Sequence, residues 1–198
     1  MSARTTIIPF RPRPRRAEKV VSNGVLGMIL IVFVEIMLFA GFISAFVIVK
    51  ARAVGSVWPP PNQPRLPFER TAINTTMLIA SGIVLLIAHR AYQRGNRSIG
   101  LLLMLATLLG GAFVTLQGVE WVALLQEGLT LTSSTYGSLF YTIIGAHAAH
   151  AVVAIGLLAW AWLRLMAGTL SREAMSTVSL FWYFVVLVWP FLYFQVYL

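Results

Sequence analysis

Apolar positions in this chain fall in five long runs, with polar, basic or proline-bearing segments between them. The runs cover about residues 24–49, 71–88, 99–125, 136–163 and 174–197. Each is close to or above the roughly 20 residues that cross a bilayer at about 1.5 Å per residue. A helix closes its backbone hydrogen bonds internally, as hydrocarbon demands, so the pattern predicts an all-α, polytopic membrane protein: a bundle of five transmembrane helices. Residues 22–198 form that domain, and residues 1–21 form a tail ahead of it. The tail carries RPRPRR at 11–16, where alternating prolines exclude regular helix. It reads as a solvated cytoplasmic segment that touches anionic headgroups. The run after it is too long for a signal-peptide core and lacks a small-residue cleavage site, so it is read as the first span.

Composition agrees and adds an orientation. The chain is 59% hydrophobic and 11% charged, with a mean hydropathy of +0.83, far from soluble domains. The net charge of +9 would suggest nucleic acid in a soluble protein, but here the basic residues sit in the tail and loops, where they orient the spans. Eleven Lys and Arg lie in the tail and in the loops at 90–97 and 164–172, against four (Lys50, Arg52, Arg65, Arg70) on the other side. That excess places the N-terminus in the cytoplasm and the C-terminus outside. With no cysteine, disulfides and thiolate ligation are excluded. No phosphate-binding glycine loop, nucleophile elbow or dinucleotide fingerprint is present.

Against this apolar background a few polar residues stand out. His147 and His150 lie about 16 and 21 Å along the fourth run from Tyr136, near the middle of the membrane. Their spacing of three puts them on one helical face, and Gly145, Ala146, Ala148 and Ala149 leave room for a neighbouring helix. Glu35 lies about 20 Å into the first run, at nearly the same depth, and a carboxylate there needs a donor or a proton. The match supports a hydrogen bond from one of the imidazoles to Glu35. The plain reading makes both histidines neutral and bonded to neighbouring helices. A sharper one makes them metal or haem ligands, with His89 the only other histidine and all six acidic residues glutamates. Histidines three apart on one face cannot take opposite axial positions on one haem. A transporter with Glu35 as coupling carboxylate is a further alternative; the chain shows no inverted repeat.

Elsewhere, Gln117 and Glu120 share a face near the outer end of the third run and read as a hydrogen-bonded pair. Gly110, Gly111 and Gly118 allow tight packing there, as Asn74, Thr75, Thr76, Ser81 and Gly82 do in the second run. Trp58, in WPPP at 58–61, is placed at headgroup depth, and Pro190 should bend the fifth run near its outer end.

Taken in order, GMILIVFVEIMLFAGFISAF, WPP, NTTMLIASG, QGVEW at 117–121, YGSLFYTIIGAHAAH and a terminal W-x-F-V-x-x-V-W resemble subunit III of the haem–copper terminal oxidases over about residues 24–198. The five-helix pattern is similar to the form of that family that lacks the first two of seven helices. The resemblance implies an accessory subunit of a bacterial plasma (inner) membrane oxidase, with no catalytic residue and no cofactor or metal of its own. Haem and copper would belong to the partner subunits I and II. The subunit would bind phospholipid, stabilise the catalytic subunit and support proton uptake, within a larger supercomplex in some cases. Glu35, His147, His150, Gln117, Glu120 and Trp58 would be its structural, lipid or proton-environment residues. A nitric oxide reductase is an alternative partner. Two positions depart from the family motif: Tyr183 stands where a histidine is usual and Val186 where an aspartate is usual, so a proton role for that aspartate is absent.

Overall fold

The computed structural model describes residues 21–53, 58, 63–96 and 98–197. The basic tail, Pro59–Pro61 of the WPPP segment and Arg97 lie outside the described residues. Five helices, each long and apolar enough to cross a membrane, account for nearly all of it: α1 (Asn23–Arg52), α2 (Phe68–Gln93), α3 (Ile99–Gln126), α4 (Thr135–Met166) and α5 (Arg172–Leu192). A π-helical turn over Tyr193–Tyr197 prolongs α5. No strand occurs among the described residues.

The helix ends follow local chemistry. Ser22, Ser134 and Ser171 stand in extended backbone before α1, α4 and α5, and each hydroxyl accepts from an amide of the first turn, at Val25, Gly137 and Ala174. That satisfies one of the free N–H groups every helix start leaves open. At the other ends, Gly95, Gly128 and Gly168 hold φ of 69°, 89° and 68°. Their amides reach back to Tyr92, Leu125 and Leu165, and the next residues reach Ala91, Leu124 and Arg164. The paired bonds are a Schellman stop, which glycine adopts without steric cost.

Helix α5 occupies the centre, touching α1, α2 and α4, while α3 packs on α2 and α4. Its aromatic face donates hydrogen bonds in a ladder. Trp182 Nε1 donates to Ser81 Oγ at 3.1 Å, and Ser81 Oγ donates to the Ala106 carbonyl at 2.7 Å. Trp189 Nε1 donates to Thr75 Oγ1 at 2.8 Å and Tyr193 Oη to the Phe68 carbonyl at 2.9 Å. Ser81 and Thr75 are thus acceptors for indoles, which need a partner when buried. Thr76 differs from the expectation: its hydroxyl returns to the Ile73 carbonyl of its own helix, on the exposed side, because it lies about 100° around α2 from Thr75.

The glycines of α3 also divide. A Cβ on Gly110 would lie 2.6 Å from Trp182 Cη2, so this glycine is where the indole packs; on Gly111 or Gly118 it would meet nothing within 4 Å. Those two make no such close approach to the rest of this chain. On α2, Gly82 faces Val186, whose Cγ1 would lie 3.0 Å from an added Cβ, so the valine that departs from the family motif packs on a glycine surface. Pro190 is followed within α5 by the π turn, in which i→i+5 bonding absorbs an irregular ladder.

Helix α1 is the outlier. Only 6% of its apolar window is buried, against 28–44% for the other four, and Phe39 and Phe46 alone are fully covered. Leu30, Phe33, Val34 and Met37 face outward. It is fastened at its start, where the Gly24 amide donates to Glu173 Oε1 of α5 at 2.7 Å, a carboxylate suited to the positive end of a helix dipole.

Candidate functional site

The structure brings Glu35 and His150 together. Their Oε2 and Nε2 atoms lie 3.0 Å apart, across the junction of α1 and α4. The approach is off the hydrogen-bond direction, since Oε2 has no aligned donor, so the contact is one of charge and proximity. The other ring nitrogen fixes the chemistry. His150 Nδ1 is 2.7 Å from the Ala146 carbonyl, which only accepts, so Nδ1 carries hydrogen. That leaves Nε2 to face the Glu35 carboxyl group.

This pair is not fully enclosed. Its side chains keep 19% and 23% exposure and sit in a groove with Ile31, Ala149, Val153 and Phe181 that opens to the bilayer. The rings of Phe39, Phe181 and Phe184 surround the imidazole. His147, one turn earlier, is separate: it is 1% exposed, with its ring 4.9 Å from that of Trp189 and near Phe39 and Phe113. Its Nε2 has no hydrogen-bond partner. The two histidines therefore share a helix side but not a site: His150 meets the carboxylate and His147 the aromatic interior.

His89 lies far from both, with Nδ1 3.0 Å from Ser179 Oγ and Nε2 2.9 Å from Gln93 Nε2. Since the amide nitrogen only donates, Nε2 accepts and Nδ1 donates to Ser179. This neutral clamp joins α2 to α5. Among the described residues, no group of three His, Cys, Asp or Glu is placed to hold a metal ion.

A second polar cluster lies toward the C-terminal ends of α3 and α5. Gln117 Nε2 donates to Glu120 Oε2 at 3.0 Å and meets Tyr197 Oη at 3.1 Å. Thr71 Oγ1 donates to the same carboxylate oxygen at 2.8 Å, and Asn74 Nδ2 donates to Gln117 Oε1 at 3.3 Å and to the Phe113 carbonyl. The expected pair of Gln117 and Glu120 is thus the middle of a knot joining α2, α3 and the π turn. Thr71 and Tyr197 were not singled out from sequence, because a threonine at a helix start and a tyrosine beyond a proline read as ordinary interface residues. Trp58 packs edge-on against Phe46 and Tyr136, with ring centroids 5.8 and 5.4 Å away, and so attaches its loop to α1 and α4.

Comparison with known proteins places these features in context. The family model described as cytochrome c oxidase subunit III matches residues 15–198. Proteins named cytochrome c oxidase subunit 3 are similar at 32% identity in Pelomedusa subrufa, over 86% of this chain and 67% of the relative. The relative from Mammuthus primigenius is 31% identical over 90% of this chain and 70% of its own length. That from Oncorhynchus mykiss is 34% identical over 86% and 67%.

Proposed function

The chain belongs to the cytochrome c oxidase subunit III family, and from that premise we propose that it is a non-catalytic accessory subunit of a haem–copper terminal oxidase in a bacterial plasma membrane. Its partners are subunits I and II, which carry haem and copper, and it supports their reduction of dioxygen to water. One observation carries the reading: the Glu35–His150 pair sits in a groove open to the bilayer. A carboxyl–imidazole pair that joins two helices at a lipid-facing groove is suited to fastening and tuning a neighbour. It is poorly suited to turning over a substrate.

Three roles follow. The groove at Glu35 and the outward face of α1 cover, and are covered by, the catalytic subunit, which the pair thereby stabilises. Phospholipid lies in a second groove between α1 and α5, about 390 Å³ in volume and lined by residues such as Ile36, Ala40, Leu187 and Phe191, whose apolar walls suit an acyl chain. As titratable groups within the membrane, Glu35 and His150 contribute to the proton environment that sustains turnover. The test is to purify the oxidase with and without this chain and follow dioxygen consumption over many turnovers. The reading predicts equal initial rates and earlier loss of activity without the chain. Identical durability in the two preparations would refute it, and consumption of nitric oxide in place of dioxygen would assign the chain to a nitric oxide reductase.

A further inference from the structure

The Glu35–His150 pair has one side that this chain leaves open. Oε2 lies against His150 Nε2, buried and without an aligned donor, while 23% of the glutamate side chain and 19% of the imidazole remain exposed. Both line a groove of about 270 Å³ between α1 and α4, together with Ile31, Ala149, Val153 and Phe181. Ile31 is 50% exposed and Val153 57%, so both rims lie on the perimeter of the five helices.

Bare apolar rims need no partner, because lipid tails are as apolar as leucine. A carboxyl group does. At about 1.5 Å per residue, Glu35 stands about 18 Å from the start of α1 and about 25 Å from its end. Ionisable side chains at such depth nearly always face the interior of a bundle or a water-filled cavity. Here the pair sits at an edge, so the bundle whose interior it faces includes a helix that this chain does not supply.

Depth also decides among occupants. Acyl chains reach the groove but carry no donor, and headgroup donors lie roughly 15 Å away, beyond half of an apolar core about 30 Å thick. A water fills roughly 30 Å³ and wants two to four polar partners. Glu35 and His150 are the polar residues lining the groove, and His150 Nδ1 is already engaged with the Ala146 carbonyl. One water would leave most of the volume empty. A protein segment in hydrocarbon is helical, and a side chain on such a helix brings both the bulk and the hydrogen.

We propose that the α1–α4 groove receives a transmembrane helix of the haem-bearing partner, and that this helix presents an N–H or O–H donor to the Glu35 carboxyl group while packing along Ile31, Ala149 and Val153. The inference rests on the accessory reading and deepens it by naming the chemistry of the contact. His150 is the positioning residue: held through Nδ1 to its own helix, it keeps Oε2 turned inward and leaves the rest of the carboxyl group for the partner.

The test uses the intact complex in mild detergent, with Ile31 or Val153 replaced by the photocrosslinking residue benzoylphenylalanine and the products mapped by mass spectrometry. Both positions should crosslink to one transmembrane segment of a haem-bearing subunit, and that segment should carry a hydroxyl, amide, indole or basic side chain at the crosslinked turn. A double-mutant cycle then pairs Glu35→Leu with replacement of that donor by alanine. Each single variant should lower retention of the chain on the complex through detergent washes by roughly three- to tenfold, and the double variant should lose no more than the worse single one. Glu35→Gln keeps an acceptor oxygen and should be retained better than Glu35→Leu. The proposal is overturned if the crosslinks reach only lipid, detergent, a second copy of this chain or a segment without a donor, if the two losses multiply independently, or if Gln and Leu fail equally. Those outcomes leave the accessory role standing as long as a haem-bearing partner co-purifies; absence of any such partner is the failure of that role itself.

Discussion

Gly110 and Trp182 give the sharpest test of the packing that holds the bundle. In Gly110→Ala the new Cβ would sit 2.6 Å from Trp182 Cη2 and 2.7 Å from Cζ2. Ordinary carbon contacts are about 3.5–4.0 Å, so about 1 Å must be found. The indole has little freedom to yield it, being fully buried and held through Nε1 to Ser81, whose hydroxyl is held to α3. Overpacking costs about 1–3 kcal/mol, and losing the indole bond adds about 0.5–1.5 kcal/mol. Replacing glycine by alanine inside a helix returns about 0.5–1 kcal/mol. The net expectation is a loss of about 0.5–4 kcal/mol, or roughly 1 to 16 °C in melting temperature, read by size-exclusion survival after heating in mild detergent. Gly111→Ala is the internal control: its Cβ meets nothing within 4 Å, so only the helix gain remains and stability should hold or rise. Trp182→Phe removes the two clashing atoms, and the double variant with Gly110→Ala should be less destabilised than the sum of its parts by about 1 kcal/mol. If Gly110→Ala is as benign as Gly111→Ala, the contact does not constrain the bundle and the reasoning fails.

Other substitutions probe the polar features. A double-mutant cycle of Glu35→Ala and His150→Ala, followed by unfolding in detergent, should give a coupling of about 1 kcal/mol, the scale of polar pairs between membrane helices; zero coupling would mean that the 3.0 Å approach carries no energy. Gly168→Ala puts a side chain at φ 68° and should cost about 1 kcal/mol or more in the same assay, with no change in the assembled complex's spectrum. Gln117→Leu leaves Asn74, Glu120 and Tyr197 each short of a partner, and should lower stability by about 1–3 kcal/mol, more than Thr76→Val, whose hydroxyl bonds only within its own helix.

Much of this architecture is legible in the residues. Five apolar runs become five helices because backbone satisfaction in lipid leaves few alternatives. The depth match of Glu35 with the fourth-helix histidines follows from a rise of about 1.5 Å per residue, which fixes height without fixing azimuth. Rotation about the helix axis is where sequence reading loses its grip. His147 and His150 differ by about 60° around α4, and that difference sends one to Trp189 and the other to Glu35. Hydropathy cannot show that Gly110 meets an indole while Gly111 meets nothing, since both residues look alike in an apolar run. The ladder of Trp182, Trp189 and Tyr193 onto α2 was likewise hidden, because aromatics in a span are read as bulk until a partner for each polar atom is sought.

The most direct measurement on the accessory role is to capture the chain from detergent-solubilised membranes and record both the captured proteins and the optical spectrum of the chain after it is separated from them. The account predicts that haem-bearing oxidase subunits come with it and that the separated chain shows no haem absorbance. A chain that carries its own haem band, or that is captured without any haem-bearing partner, would contradict it.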